Sequence, residues 1–175
     1  EVRRLNNGNS VPQFFVEEIH HNFAEMFQEA FIVLDADYKT QAEFFCASSA
    51  ILKQREYVKP SFCKAVMERE ALYPTGLANE YIQFAIPHTD AFHVEKPFVF
   101  VTRLKNNIPF MHMGTTDIPV QAKVIFMLGI KNPEKQVGLL SDIMKCFNDG
   151  DFVRTILSIQ DTHAMADYLK KQFGG

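Results

Sequence analysis

The stretch that decides the fold is Val124-Ile125-Phe126-Met127-Leu128, supported upstream by Phe98-Val99-Phe100-Val101. Every side chain in both runs is apolar, and the segments that contain them are bounded by Pro, Gly or Asn, which is typical of β-strands. A strand that is apolar on both faces belongs in the middle of a sheet whose two faces are covered. The sequence therefore predicts a central sheet with helices packed over it.

Apolar residues at helical spacing precede these strands. The segment from Phe14 to Ala30 predicts a helix, and the short run from Phe31 to Leu34 after it is β-prone. Thr40 and Glu43 form a capping box, which predicts a helix from there to about Gln54. The core face of that helix is expected to carry Phe44, Phe45, Ser48 and Leu52.

Proline and glycine delimit the next elements. Pro60 suits the first turn of a helix that runs through Arg69, and this helix is expected to end before Pro74 and Gly76. After it, the segment from Tyr81 to Ile86 is a further β-prone run.

Helical spacing returns beyond Pro133, where the apolar residues are Val137, Leu140, Ile143, Met144 and Phe147. Asp161 or Thr162 can cap a last helix. The strands do not alternate evenly with the helices, so a purely parallel sheet is not expected. The whole pattern predicts an α/β layered single domain, in which a mixed β-sheet is flanked by helices on both faces.

The composition excludes several classes of function. The 175 residues are 47% apolar and carry 18 Lys and Arg against 21 Asp and Glu, a formal charge of -3. No basic run is present, so nucleic-acid binding is not expected. The longest strongly apolar uncharged run, Val124 to Ile130, has seven residues, whereas a membrane-spanning helix needs about 20. We therefore expect a soluble protein that does not insert into a membrane.

Cysteine usage and the first residues favour a cytoplasmic location. Cys46, Cys63 and Cys146 stand far apart without a CxxC pair, which indicates reduced cysteines rather than a disulfide framework. The segment from Glu1 to Pro12 lacks the apolar core and the cleavage site of a secretory signal. We therefore expect a cytoplasmic protein.

His88 has the most informative setting of the six histidines. The run from Phe84 to Ile86 is a strand end, and Pro87 fixes the approach, so that His88 lies where strand becomes loop. A neutral imidazole there is a competent nucleophile toward phosphorus or carbon, and a phosphoryl group on it remains transferable. The other histidines are more typical of surface or partly buried positions: His20, His21, His93, His112 and His163.

Two short stretches carry a resemblance to a known family, residues 71–77 (ALYPTGL) and 85–90 (AIPHTD). They resemble the enzyme IIA (EIIA) domain of the fructose and mannitol class of the bacterial phosphoenolpyruvate-dependent sugar phosphotransferase system (PTS). The family pattern is an arginine in a helix, a Pro-Thr-Gly turn and an Ile-Pro-His sequence. Here these are Arg69, Pro74-Thr75-Gly76 and Ile86-Pro87-His88.

The resemblance extends over roughly Met26 to Phe173 and is greatest with galactitol-type members, because His93 follows five residues after His88. It implies that residues 26–175 form a type-2 EIIA domain, preceded by an N-terminal extension of unknown role over residues 1–25. Mannitol-type members carry a second active-site histidine, and the corresponding position after Glu134 is Lys135 in this sequence.

The resemblance also implies a function. His88 would accept a phosphoryl group from the phosphocarrier protein HPr and pass it to a cysteine of enzyme IIB, while the membrane enzyme IIC binds the sugar or polyol. Arg69 would donate hydrogen bonds to the phosphoryl oxygens, which a loose transition state requires. No cofactor and no metal are implied.

Four further residues are candidates for supporting roles, each with a plainer alternative. Thr75 and Thr89 lie beside the motifs, and either can hydrogen-bond the phosphoryl group or cap a turn. His93 can orient His88 or bind phosphate, or it can lie at the surface. Lys135 can supply positive charge in place of the missing histidine, or it can be solvated.

Other interpretations of the same residues are weaker. A metal site formed by His88, Asp90 and His93 has the wrong spacing for zinc, and no G-x-S-x-G sequence for a serine hydrolase is present. Two interpretations are open for four apolar residues: they form a patch that docks partner proteins, or they fill the core. These residues are Phe92, Phe110, Met111 and Met113. A regulatory module, in which phosphorylation of His88 controls a partner protein, is the main alternative to transport. An inactive domain of the same fold is a third.

Overall fold

The computed structural model describes residues 22–175. In this part of the chain five strands form one mixed sheet in the order β1-β4-β5-β3-β2. The pairs β1/β4 and β3/β5 are parallel, and β4/β5 and β2/β3 are antiparallel. The strands are β1 (Ile32–Ala36), β2 (Gly76–Ala78), β3 (Gln83–Ala85), β4 (Phe98–Met111) and β5 (Pro119–Gly129).

Five α-helices accompany the sheet within the described residues. They are α1 (Gln41–Gln54), α2 (Phe62–Leu72), α3 (Pro133–Phe147), α4 (Gly150–Ser158) and α5 (Thr162–Gln172). Three short 3-10 helices cover Ala24–Met26, Glu29–Phe31 and Ala91–His93. In residues 22–175 no helix has both the length and the apolar character needed to span a membrane.

Strands β4 and β5 lie in the middle of the sheet, as their apolar runs predict. Their antiparallel register extends from Phe98 opposite Gly129 to Met111 opposite Pro119. One core, which includes Phe126 and residues of α3, α4 and α5, packs on one face of the sheet. A second core, which includes Phe100 and residues of α1 and α2, packs on the other. The predicted mixed sheet with helices on both faces is thereby confirmed.

Helix boundaries follow local hydrogen-bonding chemistry. The side chain of Thr40 accepts from the Glu43 amide at 3.1 Å, and the Glu43 carboxylate accepts from the Lys39 amide at 2.7 Å, so the predicted capping box forms. The predicted core face of α1 is buried. At the last helix the cap is Asp161, whose carboxylate accepts from the Ala164 amide at 2.8 Å.

The predicted helix from Phe14 to Ala30 is wrong over its described part, and residues 14–21 lie outside the described residues. Between Ala24 and Phe31 the chain forms two short 3-10 helices and no α-helix. The physical reason is that Phe27 packs in one core whereas Phe31 packs in the other, so the chain passes from one face of the sheet to the other. A single amphipathic helix cannot present one apolar stripe to both faces.

Other differences are smaller. Helix α2 begins at Phe62 after Ser61, so Pro60 precedes the first helical turn. The buried face of α3 is formed by Leu139, Ile143 and Phe147, while Val137 and Met144 are exposed. Strand β2 and helix α4 were not predicted.

Candidate functional site

His88 lies three residues after strand β3, in a loop fixed to the neighbouring strand. The Leu128 amide of β5 donates to the Pro87 carbonyl at 2.9 Å. Because β3 and β5 are parallel, their carboxyl ends meet at one edge of the sheet, where loops commonly build a site. His88 lines a cavity of about 220 Å³ at this edge together with Arg69, Thr89, Asp90, Ala91, Ile130, Lys131, Pro133 and Gln136.

The ring of His88 has a defined orientation. Its Nδ1 atom lies 2.9 Å from the Ile86 carbonyl oxygen. A carbonyl oxygen only accepts, so Nδ1 carries the proton of the neutral ring and Nε2 carries the lone pair. Burial lowers the pKa of His88; the hydrogen bond to Ile86 raises this pKa, and the nearby Arg69 guanidinium lowers it further. The result is a neutral imidazole at physiological pH, with Nε2 available as a nucleophile.

Arg69 lies on α2 with its guanidinium at the same cavity. An Nη1 atom is 3.7 Å from the Asp90 carboxylate, and the guanidinium carbon is 5.2 Å from the centroid of the Tyr73 ring. Its Nε atom is buried and has no hydrogen-bond partner among the described residues. A buried donor without a partner is unusual, and a phosphoryl oxygen has the acceptor chemistry to satisfy it.

Thr75 does not line this cavity but is connected to it. Its amide and its hydroxyl each donate to the Glu70 carboxylate at 2.8 Å. The same hydroxyl accepts from the Ile86 amide at 3.2 Å. Burial raises the pKa of Glu70 to about 7, against the opposing effect of the two hydrogen bonds from Thr75. Thr75 is therefore hydrogen-bonded to Ile86, and the carbonyl of Ile86 accepts from His88 Nδ1.

The other three candidates have different positions. Thr89 is 6% exposed and lines the cavity beside His88. His93 points its Nδ1 atom to the Ser61 hydroxyl at 2.7 Å, at the start of α2, and does not line the cavity. Lys135 is exposed on the first turn of α3 and lines a larger neighbouring cavity of about 730 Å³. The two cavities share Ile130 and Lys131.

Three polar residues at the cavity were not predicted as parts of a phosphoryl site. Asp90 faces Arg69, Lys131 donates through Nζ to the Val94 carbonyl at 2.8 Å, and Gln136 lies on α3. The sequence gives only an indirect indication that Lys131 and Gln136 belong to the site. They follow a strand whose carboxyl end lies beside that of β3, and this pairing becomes visible only in the folded sheet.

The remaining sequence candidates lie elsewhere. Within residues 22–175 no group of three or more His, Cys, Asp or Glu side chains is arranged to hold a metal ion. The ring of His112 lies 2.8 Å from the Met113 carbonyl, and His163 lies 3.3 Å from Glu29. Phe110 is buried in the core, while Phe92 and Met113 are exposed. His20 and His21 lie outside the described residues.

Comparison with a family model defines the class of protein. Residues 25–172 match the model described as the phosphoenolpyruvate-dependent sugar phosphotransferase system, EIIA 2. The match covers most of the chain, and the chain therefore belongs to this family. Its members carry phosphoryl groups within the phosphotransferase system, so this protein is a phosphocarrier of the sugar phosphotransferase system.

Individual relatives agree with that class. The galactitol-specific EIIA component of Escherichia coli strain K12 is 28% identical over 114 residues, which are 65% of this chain and 75% of the relative. The resemblance carried by residues 71–77 and 85–90, including its galactitol-type character, is confirmed.

Solved structures share the fold. One is the enzyme IIAMTL chain in the complex of enzyme IIAMTL and phosphorylated enzyme IIBMTL from Escherichia coli, at 20% identity and a TM-score of 0.61, covering 78% of this chain and 93% of that one. Another is the nitrogen regulatory protein IIA-Ntr from Neisseria meningitidis, at 19% identity and a TM-score of 0.66, covering 83% of this chain and 97% of that one.

Proposed function

We propose that this phosphocarrier accepts the phosphoryl group on Nε2 of His88 from phospho-HPr and passes it to a cysteine of enzyme IIB. The observation that carries the proposal is the 2.9 Å hydrogen bond between His88 Nδ1 and the Ile86 carbonyl. It keeps the proton on Nδ1, so that the lone pair is on Nε2 in a ring that lines the cavity. The lowered pKa of His88 keeps that lone pair free at neutral pH.

The chemistry balances without a cofactor. Nε2 of His88 attacks phosphorus, the new N–P bond forms, and the N–P bond to the HPr histidine breaks. The His88 ring becomes a cation that retains its Nδ1 proton, and the bond to the Ile86 carbonyl becomes charge-assisted. A thiolate of enzyme IIB then attacks phosphorus, the N–P bond of His88 breaks, and the ring returns to its neutral form.

Arg69 is the residue that would stabilise the transferring group. Its guanidinium lies at the cavity, and its buried Nε has no partner among the described residues. A phosphoryl transition state spreads negative charge over three equatorial oxygens, and a planar guanidinium can donate to two of them. Thr89 and Lys131 line the same cavity and are further donors within this proposal. His93 and Lys135 lie outside this cavity and have no role in the proposed transfer.

The surface around the cavity suits brief encounters with two partners. Tyr73, Phe92 and Val137 are 63%, 67% and 68% exposed. Tyr73 lies against Arg69, and Phe92 and Val137 each follow a residue that lines the cavity. Exposed apolar side chains around a reactive group favour transient protein contacts. The solved complex of a related IIA with a phosphorylated IIB supports enzyme IIB as one partner.

The relatives support a proposal for the substrate class. We infer that the system takes up galactitol or a similar polyol, because a galactitol-specific EIIA component is 28% identical. The sugar would be bound by the membrane enzyme IIC, not by this chain. We further propose that residues 26–175 constitute the EIIA domain, that residues 1–25 are an extension to it, and that the protein works in the cytoplasm with HPr.

The test is incubation with enzyme I, HPr and phosphoenolpyruvate, followed by intact mass and acid-lability of the adduct. The wild type should gain one acid-labile phosphoryl group, and His88→Ala should gain none. His112→Ala is the matched control, since His112 lies outside the cavity and should leave the adduct intact. An adduct that persists in His88→Ala would refute the assignment.

A regulatory role is a second candidate, supported by the fold shared with the nitrogen regulatory protein IIA-Ntr. In that role His88 would be phosphorylated in the same way, and the change of charge would alter binding to a partner protein. The discriminating experiment adds enzyme IIB proteins encoded near this protein to the phosphorylated chain. Transfer to an enzyme IIB cysteine supports transport, whereas stable retention on His88 supports regulation.

A further inference from the structure

A buried polar chain joins the two elements that carry Arg69 and His88. Glu70, the residue after Arg69 on α2, is 4% exposed, and its carboxylate accepts both the amide and the hydroxyl of Thr75 at 2.8 Å. The Thr75 hydroxyl in turn accepts from the Ile86 amide at 3.2 Å. The Ile86 carbonyl, on the other side of the same residue, accepts from His88 Nδ1 at 2.9 Å.

The direction of each hydrogen bond is determined by Glu70. When Glu70 is ionised, above its pKa of about 7, its carboxylate only accepts, so the hydrogen of the Thr75 hydroxyl points to Glu70. The hydroxyl oxygen is then left with lone pairs alone, which suit the Ile86 amide. The Thr75 carbonyl also lies 3.4 Å from that amide, a longer contact that would remain without the hydroxyl. Loss of the hydroxyl therefore loosens Ile86 rather than releasing it.

Burial of a carboxylate is costly unless its hydrogen bonds are satisfied. Glu70 has both acceptor oxygens paired, and both bonds go to one residue at the junction of α2 and β2. Such a fully paired polar group fixes geometry more than it adds stability. What it fixes here is the distance between the helix that carries Arg69 and the strand end that carries His88.

We propose that Glu70 and Thr75 are positioning residues that hold His88 in its Nδ1-protonated tautomer, through Ile86. This role rests on the proposed function only in that His88 is the phosphoacceptor. With the Ile86 carbonyl held in place, the proton stays on Nδ1 and Nε2 keeps its lone pair. When Ile86 moves, the other tautomer becomes populated, and in that form Nε2 carries a proton and cannot attack phosphorus.

The test measures the tautomer directly, by long-range ¹H–¹⁵N NMR of the full chain labelled with ¹⁵N-histidine. The variants are Glu70→Gln, which replaces one acceptor oxygen by a donor group, and Thr75→Val, which removes the hydroxyl at nearly constant shape. Thr75→Ser keeps the hydroxyl and should restore the wild-type spectrum. Thr102→Val is the matched control, because the Thr102 hydroxyl is buried without a partner among the described residues.

In the wild type the Nδ1-protonated form should dominate at about pH 8, where His88 is neutral and Glu70 is ionised. Glu70→Gln and Thr75→Val should each shift the tautomer ratio by up to about tenfold toward the Nε2-protonated form. The inference is overturned if both variants, still folded by far-UV circular dichroism, keep the wild-type ratio. It is equally overturned if Thr102→Val shifts the ratio as far as Thr75→Val.

A second readout is the rate of phosphorylation by phosphoramidate, a small donor that needs no partner protein. Nε2 attacks phosphorus, the donor's P–N bond breaks, and ammonia leaves. The rate should fall in parallel with the tautomer shift and recover in Thr75→Ser. If the wild type takes no phosphoryl group from any donor, the proposed function fails, while the NMR measurement still decides whether Glu70 and Thr75 set the tautomer.

Discussion

The guanidinium of Arg69 lies 3.7 Å from the carboxylate of Asp90, and both side chains line the cavity that contains His88. The Asp90 side chain is 77% exposed, so this ion pair contributes little to stability. Its position matters more, because it places a negative charge where a phosphoryl group would arrive. In the proposed function Asp90 would hold Arg69 in the resting state and compete with the phosphoryl oxygens for its donors.

Asp90→Asn is predicted to accelerate phosphoryl acceptance. Removal of the charge ends both the competition for Arg69 and the repulsion of the incoming group, an effect of up to about 1 kcal/mol, or about fivefold in rate. The measurement is the initial rate of phosphorylation by phospho-HPr at low and high salt, and the gain should shrink as salt increases. Asp167→Asn, on α5, is the control for a general change of charge. A slower Asp90→Asn variant would contradict the prediction.

Replacement of Arg69 is predicted to reduce phosphoryl acceptance without unfolding the protein. Arg69→Ala should slow phosphorylation about a hundredfold or more, because a donor to the charged oxygens is lost. Arg69→Lys should recover part of the rate, since it keeps the charge but not the planar pair of donors. Thermal melts report whether the fold is intact. Equal rates for Arg69→Lys and the wild type would show that charge alone is sufficient.

The pH dependence of phosphorylation should report the pKa of His88. Burial and Arg69 hold that pKa below its ordinary 6.5. The nucleophile is the neutral ring, so the rate with phosphoramidate should fall in acidic solution with a midpoint below the ordinary pKa of 6.5. Arg69→Ala should move the fall to higher pH, because it removes a positive charge beside the ring. A midpoint at or above 6.5 in the wild type would contradict the prediction.

The sequence predicts those parts of the fold that depend on local pattern. The apolar runs of β4 and β5 and the cap at Thr40 are such features, and all three are found. Strand β2 has three residues and pairs at the sheet edge, which is too short for a periodic signal. Helix α4 follows directly after α3, so the apolar spacing alone does not separate the two helices.

The residues of the site likewise divide into those that local sequence predicts and those that only tertiary contacts bring to the cavity. His88 is predictable because Pro87 and the preceding strand end are adjacent to it in sequence. Lys131 and Gln136 come to the cavity through the parallel pairing of β3 with β5, which is a tertiary contact. Lys131 and Lys135 both line the larger cavity, but only Lys131, which precedes α3, also lines the cavity of His88, and this depends on how the loop enters the helix. Sequence position alone does not decide it.

Glu70→Gln is predicted to change the pH dependence of stability. The pKa of Glu70 is raised from 4.5 to about 7 in the folded protein. Between these values the folded state binds more protons than the unfolded state, so the free energy of unfolding falls as pH rises, and it levels off above pH 7. This contribution is about 3 kcal/mol at most.

The measurement is urea unfolding of wild type and Glu70→Gln at several pH values from 4.5 to 8. The stability of the wild type relative to the variant should decline across this range and then become constant. Glu68→Gln is the control, since Glu68 is an exposed residue of the same helix. A difference between wild type and Glu70→Gln that does not vary with pH would mean that the Glu70 carboxyl group is not titrating in this range.

Gly76→Ala is predicted to destabilise the fold beside the site. A Cβ atom at Gly76 would lie 2.6 Å from the Met111 carbonyl oxygen and 2.7 Å from a Val120 methyl carbon. The Met111 oxygen belongs to the backbone of β4 and cannot rotate away, so β2 has to shift. Overpacking of this kind costs about 1 to 3 kcal/mol, which corresponds to a decrease in Tm of several degrees for a domain of this size.

Gly114→Ala separates this packing effect from a conformational one. Gly114 has a φ of +82°, but a Cβ atom there would meet nothing within 4 Å. Gly114→Ala should therefore lower the free energy of unfolding only through the strain of the left-handed backbone, by about 1 kcal/mol. Differential scanning calorimetry of the two variants should give the larger decrease in Tm for Gly76→Ala. Phosphoryl acceptance should also fall in Gly76→Ala, because Thr75 precedes the displaced strand and holds Ile86. Equal decreases in Tm would mean that β4 yields at Met111, and the glycine of the Pro-Thr-Gly turn would then be needed for its backbone freedom rather than for the close approach.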